Sequence, residues 1–247
     1  MQLFGLIGYP LGHSFSASFF NKKFEEEGID ADYRNFPLER IADFRKLLSR
    51  EPGLTGLNVT VPYKQEIIPL LDSLSTTADA IQAVNTISFI RREGRVDLAG
   101  DNTDVIGFRQ SLEEHLKPHH STALVLGTGG SSKAVLHVLE QLGIAYTVVS
   151  RFAGDKRIAY GELDEALVGE TTLIVNTSPL GMHPKVETYP DIPYHALTDN
   201  HLLFDLVYNP EKTEFLARGE KQGTTIVNGH DMLIYQAEAS WKIWNDF

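Results

Sequence analysis

LVLGTGGSSKAV, residues 124–135, decides the fold. Three apolar residues run into a glycine cluster, and helical apolar spacing begins directly beyond it. Strand, turn and helix in that order open a βαβ unit. Gly127, Gly129 and Ser132 occupy the small positions of the dinucleotide turn G-x-G-x-x-G. Gly127 permits the tight turn, Gly129 lets a pyrophosphate approach the backbone, and Ser132 keeps helix and strand close. The helix N-terminus then offers N–H donors to phosphate.

Moving outward, the next strand, AYTVVSR (145–151), ends in Ser150 and Arg151. NAD-binding chains usually place an acid there for the ribose 2′-hydroxyl. An arginine suits a 2′-phosphate instead, because its planar fork binds phosphate bidentately. Lys156 adds charge nearby, so NADP is favoured over NAD. TTLIVNTS (171–178) and HLLFDLVY (201–208) read as further buried strands. The βαβ order predicts an α/β fold with a parallel sheet covered on both faces.

Before residue 105 the texture differs. LFGLIG (3–8) is a short apolar strand, SFFNKKFEEEG (18–28) a helix stopped by glycine, and ADYRNFPL (31–38) an alternating strand. IADFRKLLSR (41–50) has helical spacing, NVTV a strand, IIPLLDSL a helix, and AVNTISFIRREGRVDLAG a hairpin turning at Glu93-Gly94. The last helix carries Leu233, Ala237, Trp241 and Trp244 on one stripe, which predicts core packing. A domain boundary is expected near residue 105, with a second crossing near 229.

The 247 residues carry 22 basic and 33 acidic side chains, a net charge of −11, and no cysteine. An acidic chain is a poor partner for nucleic acid or an anionic membrane surface. Absence of cysteine excludes disulfides and thiolate chemistry and fits a reducing compartment. The N-terminus lacks a signal-peptide pattern, and no apolar run approaches the ~20 residues of a membrane span. A cytoplasmic protein is expected. His115, His119 and His120 lie across a helix end and a linker without an acidic partner pattern, and read as surface residues, with no metal expected.

Small polar residues collect at turns of the first half: His13-Ser14-Phe15-Ser16, Asn58 to Lys64, Ala83 to Thr86, and Gly100 to Asp104. Ser14 and Ser16 can serve an anion or cap a helix. Asp104 suits either a helix N-terminus or a site carboxylate.

Taken together, IGYPLGHSFS, NVTVPYK, AVNT, GDNTD, LGTGGSS, the SR pair, NTSPLGM, DLVYNPEKT and NGHDMLIYQA resemble the NADP-dependent shikimate dehydrogenase family, in that family's order and nearly end to end. The resemblance implies a substrate-binding domain of residues 1–104 with 229–247, and a Rossmann-like NADP-binding domain of residues 105–228. It implies Lys64 and Asp104 as the catalytic pair. It places Ser14, Ser16, Thr60, Asn85, Tyr208 and Gln236 around shikimate. Cofactor contacts are implied for Gly127, Thr128, Gly129, Gly130 and Ser131, for Ser150 and Arg151, and for Leu206 and Gly229. The chain departs from the family at Ala17 and Phe20, and at Asp155, where a second arginine is common. The 152–170 connection is short, so the helix usual there is expected to be truncated or absent.

The chemistry follows from the residues. Ketone reduction needs a hydride, carried by the cofactor, and a proton for the developing alkoxide, which Lys64 can give. The substrate is expected to be a small molecule, 3-dehydroshikimate or shikimate, handled by a monomer or homodimer. Quinate use, NAD use and a non-catalytic NADP-binding regulator are the alternatives. The regulator reading predicts loss of Lys64 or Asp104, and both are present.

Overall fold

The computed structural model describes residues 1–11 and 15–246. Contacts divide the chain into two compact units, Met1–Thr103 with Ala237–Phe247, and Asp104–Gln236. The second division falls inside the last helix rather than before it. No helix among the described residues is long and apolar enough to cross a membrane.

The first unit contains β1 (Gln2–Gly8), α1 (Phe15–Glu27), β2 (Ala31–Pro37), α2 (Phe44–Arg50), β3 (Leu54–Val59), β4 (Ser73–Leu74), α3 (Thr76–Ile81), β5 (Thr86–Arg92) and β6 (Arg95–Asp101). Its sheet runs β2-β1-β3-β5-β6-β4. β1 lies parallel to β2 and β3, while β5 runs antiparallel to β3 and β6. This sheet is therefore mixed. β1 is flanked by β2 and β3, which fits its unbroken apolar run, buried from Leu3 to Gly8. Gly28 at φ 65° ends α1, and Gly94 at φ 73° turns the β5–β6 hairpin.

Two sequence expectations fail here. The NVTV strand stops at Val59, and IIPLLDSL forms a short 3₁₀ turn (Ile68–Leu70) followed by β4. Pro69 disfavours a helix, and Asp72 instead pairs with β6. Its N–H donates to Leu98 O (2.9 Å), and its carboxylate accepts from Leu98 N (2.8 Å).

The second unit opens with α4 (Asp104–Glu113), then β7 (Thr122–Leu126), α5 (Gly130–Gln141), β8 (Ala145–Ser150), β9 (Arg157–Ala159) and α6 (Glu165–Glu170). β10 (Leu173–Asn176), β11 (Leu202–Asp205), α7 (Glu214–Glu220), β12 (Thr225–Val227) and α8 (His230–Asn245) follow. Its sheet, β12-β11-β10-β7-β8-β9, is parallel throughout. β10 and β11 are buried along their whole length, as a sheet covered on both faces requires. From β7 the chain proceeds to β8 and β9, then crosses back to β10. The end of β7 is thus the topological switch point, where open parallel sheets bind ligands. The 152–170 connection keeps a six-residue helix, α6, capped by Asp164.

The C-terminal part of α8 docks on the first unit's sheet. The Trp244 indole lies against Gly56, where a side chain would meet its Cδ1 at 2.7 Å. It donates to Ile87 O (3.1 Å) and stacks on Phe4 at 4.8 Å between ring centres. The aromatic stripe is core, as its spacing predicts.

Candidate active site

In the first unit, β3 delivers Asn58 and then Thr60. The Thr60 N–H donates to Ile7 O (2.9 Å), so pairing with β1 persists just past the strand. A turn begins there, anchored by the buried side chains of Tyr63 and Ile67. Lys64 sits between those anchors, half-buried, and its carbonyl accepts from Val84 N (2.7 Å). The Lys64 backbone is therefore fixed from both sides, against the Ala83–Thr86 segment.

Ser16 lies in the first turn of α1, half-buried, and its hydroxyl hydrogen-bonds the Tyr33 phenol. Tyr33 donates onward to Asn58 Oδ1 (2.8 Å). Burial pushes the Tyr33 phenol far above its ordinary pKa, so it stays a neutral donor. Ser14 lies outside the described residues. Asn85 is buried, and its amide is held at both ends: Nδ2 donates to Thr103 Oγ1 (3.0 Å), and Oδ1 accepts from Thr103 N (2.7 Å). Ser16, Asn58 and Asn85 thus belong to one hydrogen-bonded assembly.

In the second unit, Asp104 is the first residue of α4 and is buried. A carboxylate is favoured there by the helix dipole. Gly107, one turn on, lets α8 come close: a side chain on Gly107 would meet Gln236 Cβ at 2.9 Å and Gln236 N at 3.0 Å. This close approach brings the helix carrying Asp104 against the buried Gln236. The sequence offered only a lone glycine in a helical pattern as its signal.

Gly127 has φ 126°, a conformation that favours glycine. Thr177, just after β10, closes over it, with Oγ1 2.6 Å from where a Gly127 side chain would begin. Gly129 is different. Nothing lies within 4 Å of a side chain built there, directly before the N-terminus of α5. Ser132 Oγ donates back to Gly129 O (2.7 Å) and stiffens the turn. An open cradle at a twelve-residue helix's N-terminus fits a dinucleotide phosphate. Thr128 is exposed, and Gly130 and Ser131, which open α5, are half-exposed. At the end of β8, Ser150 Oγ donates to Phe152 O (2.6 Å) and leaves Arg151 exposed.

The segment after β11 is organised by Asp205, which is fully buried. It accepts from Asn176 Nδ2 (2.9 Å), Val207 N (3.0 Å) and Thr213 Oγ1 (2.6 Å). Burial raises its pKa to about 6 despite those three donors. The carboxylate fixes the turn holding Leu206 and Tyr208. Gly229 packs on Leu206, where a side chain would strike the carbonyl, its carbon lying 2.7 Å away. Tyr208 is half-buried, and burial raises its phenol pKa.

Sequence reasoning missed Tyr33, Thr103, Ser240, Asn176 and Asp205. For the last two a signal exists: LIVN and LLFD are apolar strands that each end on one polar residue. His120 is a correction. It is buried rather than at the surface, its Nδ1 accepting from Lys117 N (3.0 Å) and its Nε2 facing Asn200 O (3.2 Å).

Residues 6–87 match the family model of the shikimate dehydrogenase substrate binding domain. A shikimate dehydrogenase (NADP(+)) of Oleidesulfovibrio alaskensis is 38% identical over 98% of this chain and 89% of its own length. The crystal structure of shikimate 5-dehydrogenase from Thermus thermophilus, in complex with NADP(H) and shikimate, is similar with a TM-score of 0.87. It is 28% identical, covering 100% of this chain and 94% of that one. Quinate dehydrogenase from Corynebacterium glutamicum, in complex with NAD, has a TM-score of 0.86 at 28% identity, covering 100% and 94%. The chain belongs to the NADP-dependent shikimate dehydrogenase family.

Proposed function

We propose that this protein catalyses the reversible NADPH-dependent reduction of 3-dehydroshikimate to shikimate, a step of aromatic amino acid biosynthesis. The observation that carries this reading is the relationship to an NADP(+) enzyme over 98% of the chain. Bound NADPH supplies the hydride. Lys64 stabilises the ketone oxygen as negative charge develops and gives it a proton. Asp104 is the second catalytic residue in this reading and accepts from a ring hydroxyl. Asn85, Thr60 and Gln236 bind ring hydroxyls, while Ser14, Ser16 and Tyr208 bind the carboxylate. A phenol whose pKa is raised by burial remains a donor at neutral pH, which suits Tyr208 to an anion.

Residues 127–131 would hold the cofactor's pyrophosphate, and Arg151, beside Ser150, would bind its 2′-phosphate. Leu206 and Gly229 would add further cofactor contacts. Residues 1–104 with 229–247 form the substrate domain in this reading, and residues 105–228 the NADP domain. The cysteine-free composition favours a cytoplasmic enzyme, working as a monomer or homodimer. The test is turnover with shikimate and with quinate, each with NADP and with NAD, followed by nicotinamide absorbance. Shikimate with NADP is expected to be the best pair. No turnover with any pair would defeat the enzyme reading, and equal rates with both cofactors would remove the role of Arg151.

A further inference from the structure

Four buried side chains of the first unit close a ring of hydrogen bonds that passes through Ser240. Asn85 Nδ2 donates to Thr103 Oγ1 (3.0 Å). Thr103 Oγ1 lies 3.0 Å from Ser240 Oγ, Ser240 Oγ lies 2.8 Å from Thr86 Oγ1, and Thr86 Oγ1 donates to Asn85 Oδ1 (3.0 Å). Each hydroxyl has one proton, and Asn85 Nδ2 can only donate. Asn85 Nδ2 therefore donates into the ring, Asn85 Oδ1 accepts from Thr86 Oγ1 and also faces the Thr103 hydroxyl (3.2 Å), and either oxygen can be the donor where Thr103 and Thr86 meet Ser240. Asn58 braces the ring from outside, its Nδ2 donating to Ser240 Oγ (3.0 Å). Ser240, Thr86 and Thr103 have no exposed surface to speak of, so water does not substitute for a missing member.

Ser240 stands on α8, far in sequence from its three ring partners. We infer that Ser240 is a positioning residue for shikimate: its hydroxyl locks the Asn85 amide and the Thr103 backbone in one orientation. This rests on the proposed role of Asn85 at a ring hydroxyl. The ring fixes the orientation of the Asn85 amide, because Oδ1 is committed to the Thr103 N–H and the Thr86 hydroxyl, and Nδ2 to Thr103 Oγ1. Thr103 is also bonded in the chain to Asp104. Hydrogen bonds in a connected buried network reinforce one another, so loss of one hydroxyl loosens all members.

The experiment compares Ser240→Ala, Ser240→Thr and Ser240→Val. Threonine and valine have the same shape and differ only in the hydroxyl. Shikimate KM is expected to rise about tenfold in the Ala and Val variants, the factor carried by one net hydrogen bond. Ser240→Thr should stay near the unaltered chain, and NADP affinity should not change in any of them. The Thr103 amide, held by Asn85, should exchange its hydrogen faster in Ser240→Ala, without substrate present. If Val fails to fold, Ala against Thr decides the question. An unchanged shikimate KM in Ser240→Ala, or an equal loss in Ser240→Thr, would overturn the inference. Failure of the unaltered chain to turn over shikimate would sink the substrate assignment instead, while amide exchange would still show whether Ser240 locks the ring.

Discussion

Replacing Asp205 by asparagine should make the protein more stable at neutral pH and leave it unchanged in mild acid. The carboxylate is fully buried, and burial raises its pKa to about 6 against the three donors that favour its ionised form. An unfolded aspartate titrates near ~3.9. The folded value is the higher one, so the folded state holds its proton longer as pH rises. Stability is fully present below about pH 4 and is lost as pH climbs through about 6. A shift of about 2 units corresponds to ~3 kcal/mol. Asparagine has the same shape: its Oδ1 can keep accepting from Asn176 and Val207, and its amide can donate to Thr213. Urea unfolding of both proteins across about pH 4 to about pH 8 measures the difference. It should be near zero at the acid end and grow to ~3 kcal/mol in favour of the variant. A difference that is independent of pH, or a variant less stable at about pH 8, would refute the reasoning. It would mean that the three hydrogen bonds outweigh burial and hold the carboxylate ionised.

Lys64→Ala should lower kcat by roughly 10²- to 10⁴-fold with little change in shikimate KM, as expected for a proton donor acting in the transition state. Steady-state kinetics check this, and an unchanged kcat would remove Lys64 from the chemistry. Arg151→Gln should raise the NADP KM while leaving the NAD KM unchanged, by the ~1.5–3 kcal/mol of a charge-assisted hydrogen bond. Equal effects on both cofactors would show that Arg151 does not meet the 2′-phosphate. Gly229→Ala should destabilise the protein by ~1–3 kcal/mol and weaken NADP binding, because the new methyl meets the Leu206 backbone, not a movable side chain. Thermal unfolding and a cofactor titration read the two effects separately.

The second unit was legible because its strands are buried on both faces and its turn chemistry is local. β7, β10 and β11 appear as apolar runs, and the glycines that shape the switch point sit beside them in sequence. The first unit was less legible because distant pairing overrides local pattern. IIPLLDSL has helical apolar spacing, yet Asp72 bonds β6 and pulls the segment into the sheet. NVTV has high β propensity, but Val61 is exposed and Pro62 follows, so the strand stops at Val59. His120 looked like a linker histidine because its partner, the Asn200 carbonyl, lies eighty residues away. Lys64 and Asp104 were singled out by their motifs. Ser240 was not, since a serine in a helix carries no sign of what its hydroxyl meets.

Each unit keeps a buried polar hub beside its proposed ligand residues, and the two hubs differ in charge. The ring around Asn85 is built from amides and hydroxyls. The titratable group that extends it, Tyr33, is raised by burial well above its ordinary range. That hub therefore holds one hydrogen-bonding pattern across the working pH range. The hub under Leu206 and Tyr208 centres on a carboxylate with a pKa of about 6, so its charge changes in that range. Neutral groups suit an assembly that must present a fixed amide to a substrate rich in hydroxyls, because a proton gained or lost there would reverse donors and acceptors. An ionisable centre is tolerated under the second hub because Asn176 and Val207 N donate to Oδ1 in either state, while the Thr213 hydroxyl can donate to an ionised Oδ2 or accept from a protonated one. Sensitivity to mild acid should therefore arise at Asp205, in cofactor affinity through Leu206 and in shikimate binding through Tyr208, while recognition through Asn85 should not share it.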